Sequence, residues 1–577
     1  MQPGAENAKN VGSSEENQVI VHGSAAIKSG ENANAGQLTC QSAAISDNTQ
    51  ESRPLQVSTT IYPNHQYQTE SKGSLYYSEI ANVVPVPVLS SPTAFPSLAS
   101  NRQLAILWHY FRSVCVVNSC YDSFINPFRT GVQSLMYSSR LIYSCIMSMS
   151  AAHLSHTDPK WALESLEYHA KAISTLRTEL AKLLSGTSTS TSTDESRDHV
   201  LLGVVLLGTS SSWHPSSGLG LEHITGSRAL FKRWIYQKLD RGDAPDWPRF
   251  SFYLGLQAYW ETVASFLVDQ DLDQLEYLND ACMKLPTNTV YVHPWTGISS
   301  TLWMLLAKAG CLTRRKRICT LGGPLDGTLA LDRLEEQARR LEGELLAYAI
   351  PDASSAESTY DEQTPISHLE DIARCCKFAA LLELYRAFGT ICHGQRVVDA
   401  IMATDGKATS GRFNPDESHH PTVADVLAEL SLGIIKTLQS IPENSNTRCL
   451  HPLLLLISGS ALSTRLLGER VLYMCPPSPS PTPENTTTGV PGDNNYNPDP
   501  ATIIKSWRQF IYDRITHVEQ VINIDNVRNI RRVLEEVWAQ DDDLRDLASL
   551  FPDDDVIAAE PCHWIDIMEK KKLEFLF

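Results

Sequence analysis

Between Leu104 and Leu184 the chain lays down three successive apolar patterns of helical period, and few folds other than a helical array accept that order. The first pattern runs from Leu104 to about Val117. Asn126-Pro127 then breaks the chain, because a proline pushes the residue before it out of helical geometry. The second pattern places Leu135, Ser138, Ile142, Cys145, Met149 and Ala152 at steps of three and four, which gathers them on one helix face. Asp158-Pro159 opens the third helix, with the aspartate as N-cap and the proline in the first turn. Its expected inner face is Ala162, Leu166, Ala170, Ile173, Leu176, Leu180 and Leu183.

The same period continues downstream. His199 to Leu207 is an apolar helix, and Gly220 to Leu230 reads as a helix N-terminus entering an apolar run. Phe252 to Val268 is a further helix whose aromatics (Tyr253, Tyr259, Trp260, Phe266) suit core packing. Ser299–Ala309 is the next long helix. Leu331–Ala349, Ile372–Phe388 and Val423–Ile441 follow, the last with Val423, Val426, Leu427, Leu430, Ile434, Leu438 and Ile441 on one stripe. Pro452 to Leu466 is apolar on every side, the pattern of a helix enclosed all round. Ile504–Ile515 and Val527–Trp538 close the array. No strand-period stretch or long internal repeat stands out.

The fold expected is therefore all-α: a large multi-helix array over residues 101–475, completed by helices over 501–577. Residues 1–100 and the Pro/Asn/Thr-rich 476–500 lack the apolar surface to order themselves and are expected to be disordered. Ser185 to Arg197 reads as a polar linker, and 351–366 and 403–420 as loops.

A net charge of -18 makes the chain as a whole repel phosphate, so composition speaks against nucleic acid as a direct partner. Thirteen cysteines, an odd number without regular spacing, fit a reducing compartment better than a secreted disulfide scaffold. The apolar runs Leu201–Leu207 and Leu453–Ile457 are too short to cross a bilayer, and no signal-peptide pattern opens the sequence.

Four groupings carry candidate chemistry. Arg314-Arg315-Lys316-Arg317 is the most basic run: it suits a nuclear import receptor, or else a solvated helix end whose cations complement the negative pole. Asp542-Asp543-Leu544-Arg545-Asp546 matches the spacing by which terpenoid synthases share magnesium, but only 31 residues follow it, too few for the second metal-binding helix. A solvated acidic loop is the competing reading. His153 and His156 stand three apart at a helix end, without a third ligand nearby. Cys562, His563 and Asp566 contain the residue types of a thiol nucleophile, but adjacent residues point apart. Phosphate-binding glycine loops are absent. No catalytic, metal or cofactor residues are assigned.

Trp108-His109-Tyr110-Phe111, Asn126-Pro127-Phe128-Arg129, the run Met149 to Ser155 and the Tyr168-His169-Ala170 helix, in this order and spacing, resemble the opening of the fungal-specific transcription factor domain. That is the all-helical regulatory region that follows a zinc binuclear cluster in many fungal regulators. The resemblance covers roughly residues 104–575. It implies a nuclear transcription regulator, a non-enzyme without cofactor, whose partners are proteins: transcription machinery or a DNA-binding regulator. Such proteins often control biosynthetic gene clusters. The zinc cluster needs six cysteines, and residues 1–100 contain only Cys40, so the sequence departs from the family pattern at the DNA-reading end. Two rival readings are an interaction scaffold or inhibitory paralogue, and a helical enzyme acting on an apolar metabolite.

Overall fold

The structure is a computed structural model that describes residues 102–185, 193–214, 218–239, 246–286, 288–321, 327–394, 396–397, 421–463, 499–550 and 562–575. The disorder expected for 1–100 and the loop expected over 403–420 lie outside these residues, as does most of 476–500. Among the described residues all regular structure is helical, and β-pairing is limited to two isolated bridges, Val290 with Ala356 and His293 with Gly297.

α1 (Arg102–His109) continues through a π-helical stretch (Tyr110–Val114) into a last turn at Val117. The Tyr110 hydroxyl donates to the Phe128 carbonyl at 3.0 Å and ties this helix to the Asn126-Pro127 turn. The second pattern is broken where a single helix is expected. α2 (Gly131–Ser138) and α3 (Arg140–Thr157) meet at Ser139, which is extended (φ -124°, ψ 114°). Its hydroxyl accepts from the Ile142 amide at 3.3 Å, so a serine inside an apolar period starts a new helix rather than continuing the old one.

Asp158 caps as expected, accepting from the Lys160 amide, and leads through a 3₁₀ turn into α4 (Ala162–Ser185). Its buried face agrees with the expected one at Leu176, and Ile173, Leu180 and Leu183 pack on the core, but it differs in the first turns. Ser165, Tyr168, Ala172 and Leu176 face inward, while Leu166 is 43% exposed. A hydrogen bond decides this: Ser165 Oγ lies 3.3 Å from the buried His214 ring. Ser165 thus takes the inner position in the first turns and Leu166 stays outside.

α5 (Thr193–Ser210) takes in the last five residues of the stretch read as a linker, Thr193 to Arg197, while 186–192 lie outside the described residues. α6 (Ile224–Leu239), α7 (Trp247–Ser265) and α8 (Glu276–Cys282) follow. α9 (Ser300–Leu321) packs against α7, against α10 (Gly327–Ala347) and against α11 (Ile366–Ala387). α12 (Val423–Ser440) starts with a capping box between Thr422 and Asp425 and lies on α11. α13 (His451–Gly459) is buried along its whole length. α14 (Pro500–Ile522) and α15 (Asp525–Leu550) pack on it, joined at Asn523 in the left-handed region (φ 53°), a turn asparagine tolerates. Asp499 and Pro500 already cap and open α14, so the 476–500 loop ends before 499. α16 (Trp564–Lys571) packs on α15.

One core cluster links Tyr110 near the start of the array to Phe575 near its end. Close packing rests on glycine where α5 meets α7: a Cβ on Gly208 would lie 2.2 Å from the Trp260 ring. Gly208→Ala therefore over-packs this contact and is expected to lower unfolding free energy by about 1–3 kcal/mol in urea titrations. Gly226→Ala meets open space inside α6, and should leave stability unchanged or raise it by up to about 1 kcal/mol.

Candidate functional site

The four residues of the basic run sit inside α9, not at a solvated helix end, and each is held from within the fold. Arg314 pairs with Glu569 at 2.5 Å and donates to the Phe266 carbonyl at 2.9 Å. Arg315 pairs with Asp271 at 2.6 Å. Lys316 donates to the Ala387 carbonyl and lies over the Phe388 ring. Arg317 grips both carboxylate oxygens of Asp566, the Nε contact at 2.6 Å. A receptor reading these four cations together would have to displace all of these partners.

Two of those partners belong to α16, and the run is half of a seat for that helix. Trp564 is buried, its ring 5.2 Å from Phe266 and stacked with Phe575 at 6.2 Å. Its indole N–H donates to Glu383 at 2.9 Å. Glu383 lies on α11, fully buried, with Arg386 at 3.8 Å and His563 Nε2 at 3.2 Å. Burial pushes this carboxyl up, but His563, Arg386 and the Trp564 donor outweigh burial and hold it below the usual value. Burial pushes His563 down to about 4, so the ring is neutral at pH 7. Its Nδ1 accepts from the Ile565 amide and caps α16, which places the proton on Nε2, facing Glu383. Lys571–Glu536 at 2.8 Å and Asn529 to the Glu574 carbonyl at 3.0 Å fasten the far side to α15.

This geometry answers the thiol reading. His563 spends both nitrogens on the cap and on Glu383, and Cys562 donates only weakly, to the His563 carbonyl. Desolvation raises the Cys562 pKa. Deeper thiols are pushed further, Cys115, Cys311 and Cys449 each to about 12. All the cysteines of the described residues are free.

The acidic motif is not a loop. It lies within α15, where Arg508 reaches Asp541 at 2.7 Å and Asp542 at 2.9 Å, and Arg545 reaches Asp542 at 3.1 Å. A cavity of about 450 Å³ opens beside it, bordered by Lys505, Arg508, Tyr512, Trp538, Asp542 and Arg545. Its arginines and Asp542 are spent on one another. His153 is likewise committed: Nε2 meets the Ile522 carbonyl at 2.9 Å and Nδ1 meets His109 Nε2 at 2.8 Å. The carbonyl can only accept, so the proton sits on Nε2 and the Nδ1 lone pair is taken by His109. No group of three metal-ligating side chains converges among the described residues.

Other buried carboxylates are structural. Glu261 receives Arg228 at 2.5 Å and the Tyr277 hydroxyl at 2.6 Å, tying α6, α7 and α8 together. At the surface, Phe124 and Tyr360 are 65% and 58% exposed, with ring centroids 4.7 Å apart and Tyr360 at φ 50°. The seat of α16 escapes a linear reading because its acidic half lies some 250 positions from its basic half; Arg317 and Asp566 are separated by 249.

No helix among the described residues is long and apolar enough to cross a membrane. Residues 105–577 match the family model of the fungal specific transcription factor domain. No curated protein and no solved structure matches the chain.

Two buried histidines generate a pH prediction. Burial pushes His214 and His293 down to about 3. His293 Nδ1 also accepts from the Trp295 and Thr296 amides, so a second proton there would face two donors. Both folded values lie below the unfolded value near 6.5, so their contribution is complete above pH 6.5 and is lost as pH falls toward 3. The contribution of these two histidines to unfolding free energy in urea titrations should be level between about pH 6.5 and 8, below the range in which unfolded thiols ionise. Below about pH 6.5, each of the two should remove about 1.4 kcal/mol per pH unit.

Proposed function

The chain belongs to the fungal specific transcription factor domain family, and from that premise we propose that it acts in the nucleus as the effector and partner-binding part of a transcription regulator. The observation that carries this reading is the span of the match, residues 105–577, which takes in the whole described helical array. In this reading the array as a whole is the regulatory domain, which the span of the match supports. The buried ionisable groups fit this, because Glu261, Glu383, Asp541, His153 and His563 are all engaged by partners within the fold.

DNA contact, in this reading, comes through a partner. A net charge of -18 opposes approach to phosphate, and residues 1–100 supply one cysteine where a zinc binuclear cluster takes six. The most basic run is neutralised by Asp269, Asp271, Asp566 and Glu569. Control of a biosynthetic gene cluster is the proposed context.

Three measurements test this. A fluorescent fusion should concentrate in the nucleus; exclusive cytoplasmic signal would favour the scaffold reading. The chain tethered to a heterologous DNA-binding module should change reporter output. The purified chain alone should not retain a promoter fragment sequence-specifically, and retention would overturn the partner-dependent part.

A further inference from the structure

We propose that the seat formed by α9, α11, α15 and the end of α7 is a docking site for an amphipathic helix of a partner protein with two carboxylates aimed at Arg314 and Arg317, which α16 fills in cis. The inference rests on reading the array as a partner-binding domain and names the partner's chemistry.

The seat is made without α16. Arg314 and Arg317 project from α9, Glu383 and Arg386 from α11, and Phe266 follows α7; α7 and α11 both pack directly on α9. α16 has only eight residues, too short to persist as a helix on its own, so its order comes from the seat. Its release uncovers the buried Trp564, Ile565, Ile567 and Met568 and parts the helix from α15. The ion pairs that fasten it are partly solvated: Glu569 and Asp566 keep 44% and 29% of their side-chain surface exposed. Such pairs exchange for water at little cost, which makes them selective rather than permanent.

α16 is also the template for what fits. Trp564 fills the aromatic pocket and donates to Glu383, a carboxylate with no access to water while the seat is occupied. Ile567 and Met568, three and four positions on, cover the apolar floor. Asp566 and Glu569 face the two arginines. A partner would therefore carry a tryptophan, aliphatic residues three and four positions later, and carboxylates at the second and fifth positions. Its indole N–H matters most, since an empty seat leaves Glu383 short of a donor.

The test uses the full chain with Trp564→Ala and Asp566→Lys together, which weakens the cis helix and leaves the seat intact. A fluorescent peptide of residues 563–577 should bind this variant at least about tenfold more tightly than wild type, and more weakly as salt rises. A folded variant that ignores the peptide, or binds equally a peptide carrying the same two substitutions, overturns the proposal. Should the variant not fold, hydrogen exchange on the wild-type chain decides: amides of Trp564–Lys571 should exchange at least about a hundredfold faster than those of Ile372–Tyr385. Exchange together with α11 would make α16 a fixed part of the core and overturn the idea. Concentration-dependent dimers dispersed by the peptide would mean that a second copy, not a partner helix, takes the seat. A chain that passes the tethering assay but never opens the seat loses this inference alone; a seat that exchanges while the tethered reporter stays silent loses the regulatory reading instead.

Discussion

A helix with no polar face cannot meet water, and α13 is such a helix. Leu453 to Ile457 are buried on every side, so α13 must be enclosed by other elements. α11 and α12 come from before it in the chain; α14 and α15 come from after it. Gly459 lets the later pair approach closely, since a Cβ there would stand 3.1 Å from Ile511 and 3.3 Å from Leu534. Trp538 donates to the Gly459 carbonyl at 2.9 Å and completes the enclosure. This requirement is why the helices from Pro500 onward belong to the same body as those before Ser463.

The polar interior follows a second rule: charge and hydrogen-bonding capacity are matched across long sequence separations. His153 meets the Ile522 carbonyl, Arg514 meets the carbonyls of Leu438 and Ile441, and His563 meets Glu383. Buried polar groups are costly unless paired, so each contact specifies one arrangement of helices among many that the apolar faces would tolerate. In an acidic molecule the same matching gathers the cations of α9 against the two carboxylates of a short helix.

What was legible in the sequence were features whose cause is local. Asp158-Pro159, the Val423–Ile441 stripe and the all-round apolarity after Pro452 each act within a turn or two, and each appears as read. Ser139 was missed because its capping role competes with an apolar period that runs straight through it. The inner face of α4 was misplaced in its first turns because His214, far along the chain, selects Ser165 over Leu166. The basic run was visible as charge, but its partners at Asp566 and Glu569 were not, since pairing across that distance has no local signature. The acidic motif looked like a loop until Arg508, on the neighbouring helix, was placed beside it.

The buried thiols bear on how the domain reports its own state. Cys115, Cys145 and Cys376 sit in the interior, with burial holding each thiol protonated at neutral pH. An alkylating reagent needs both contact and thiolate, and the closed fold denies it both. Labelling of these sulfurs therefore works as a stopwatch for opening: the helices that release their cysteines early are those that come apart first, and mass spectrometry reads the order without a probe being added to the chain.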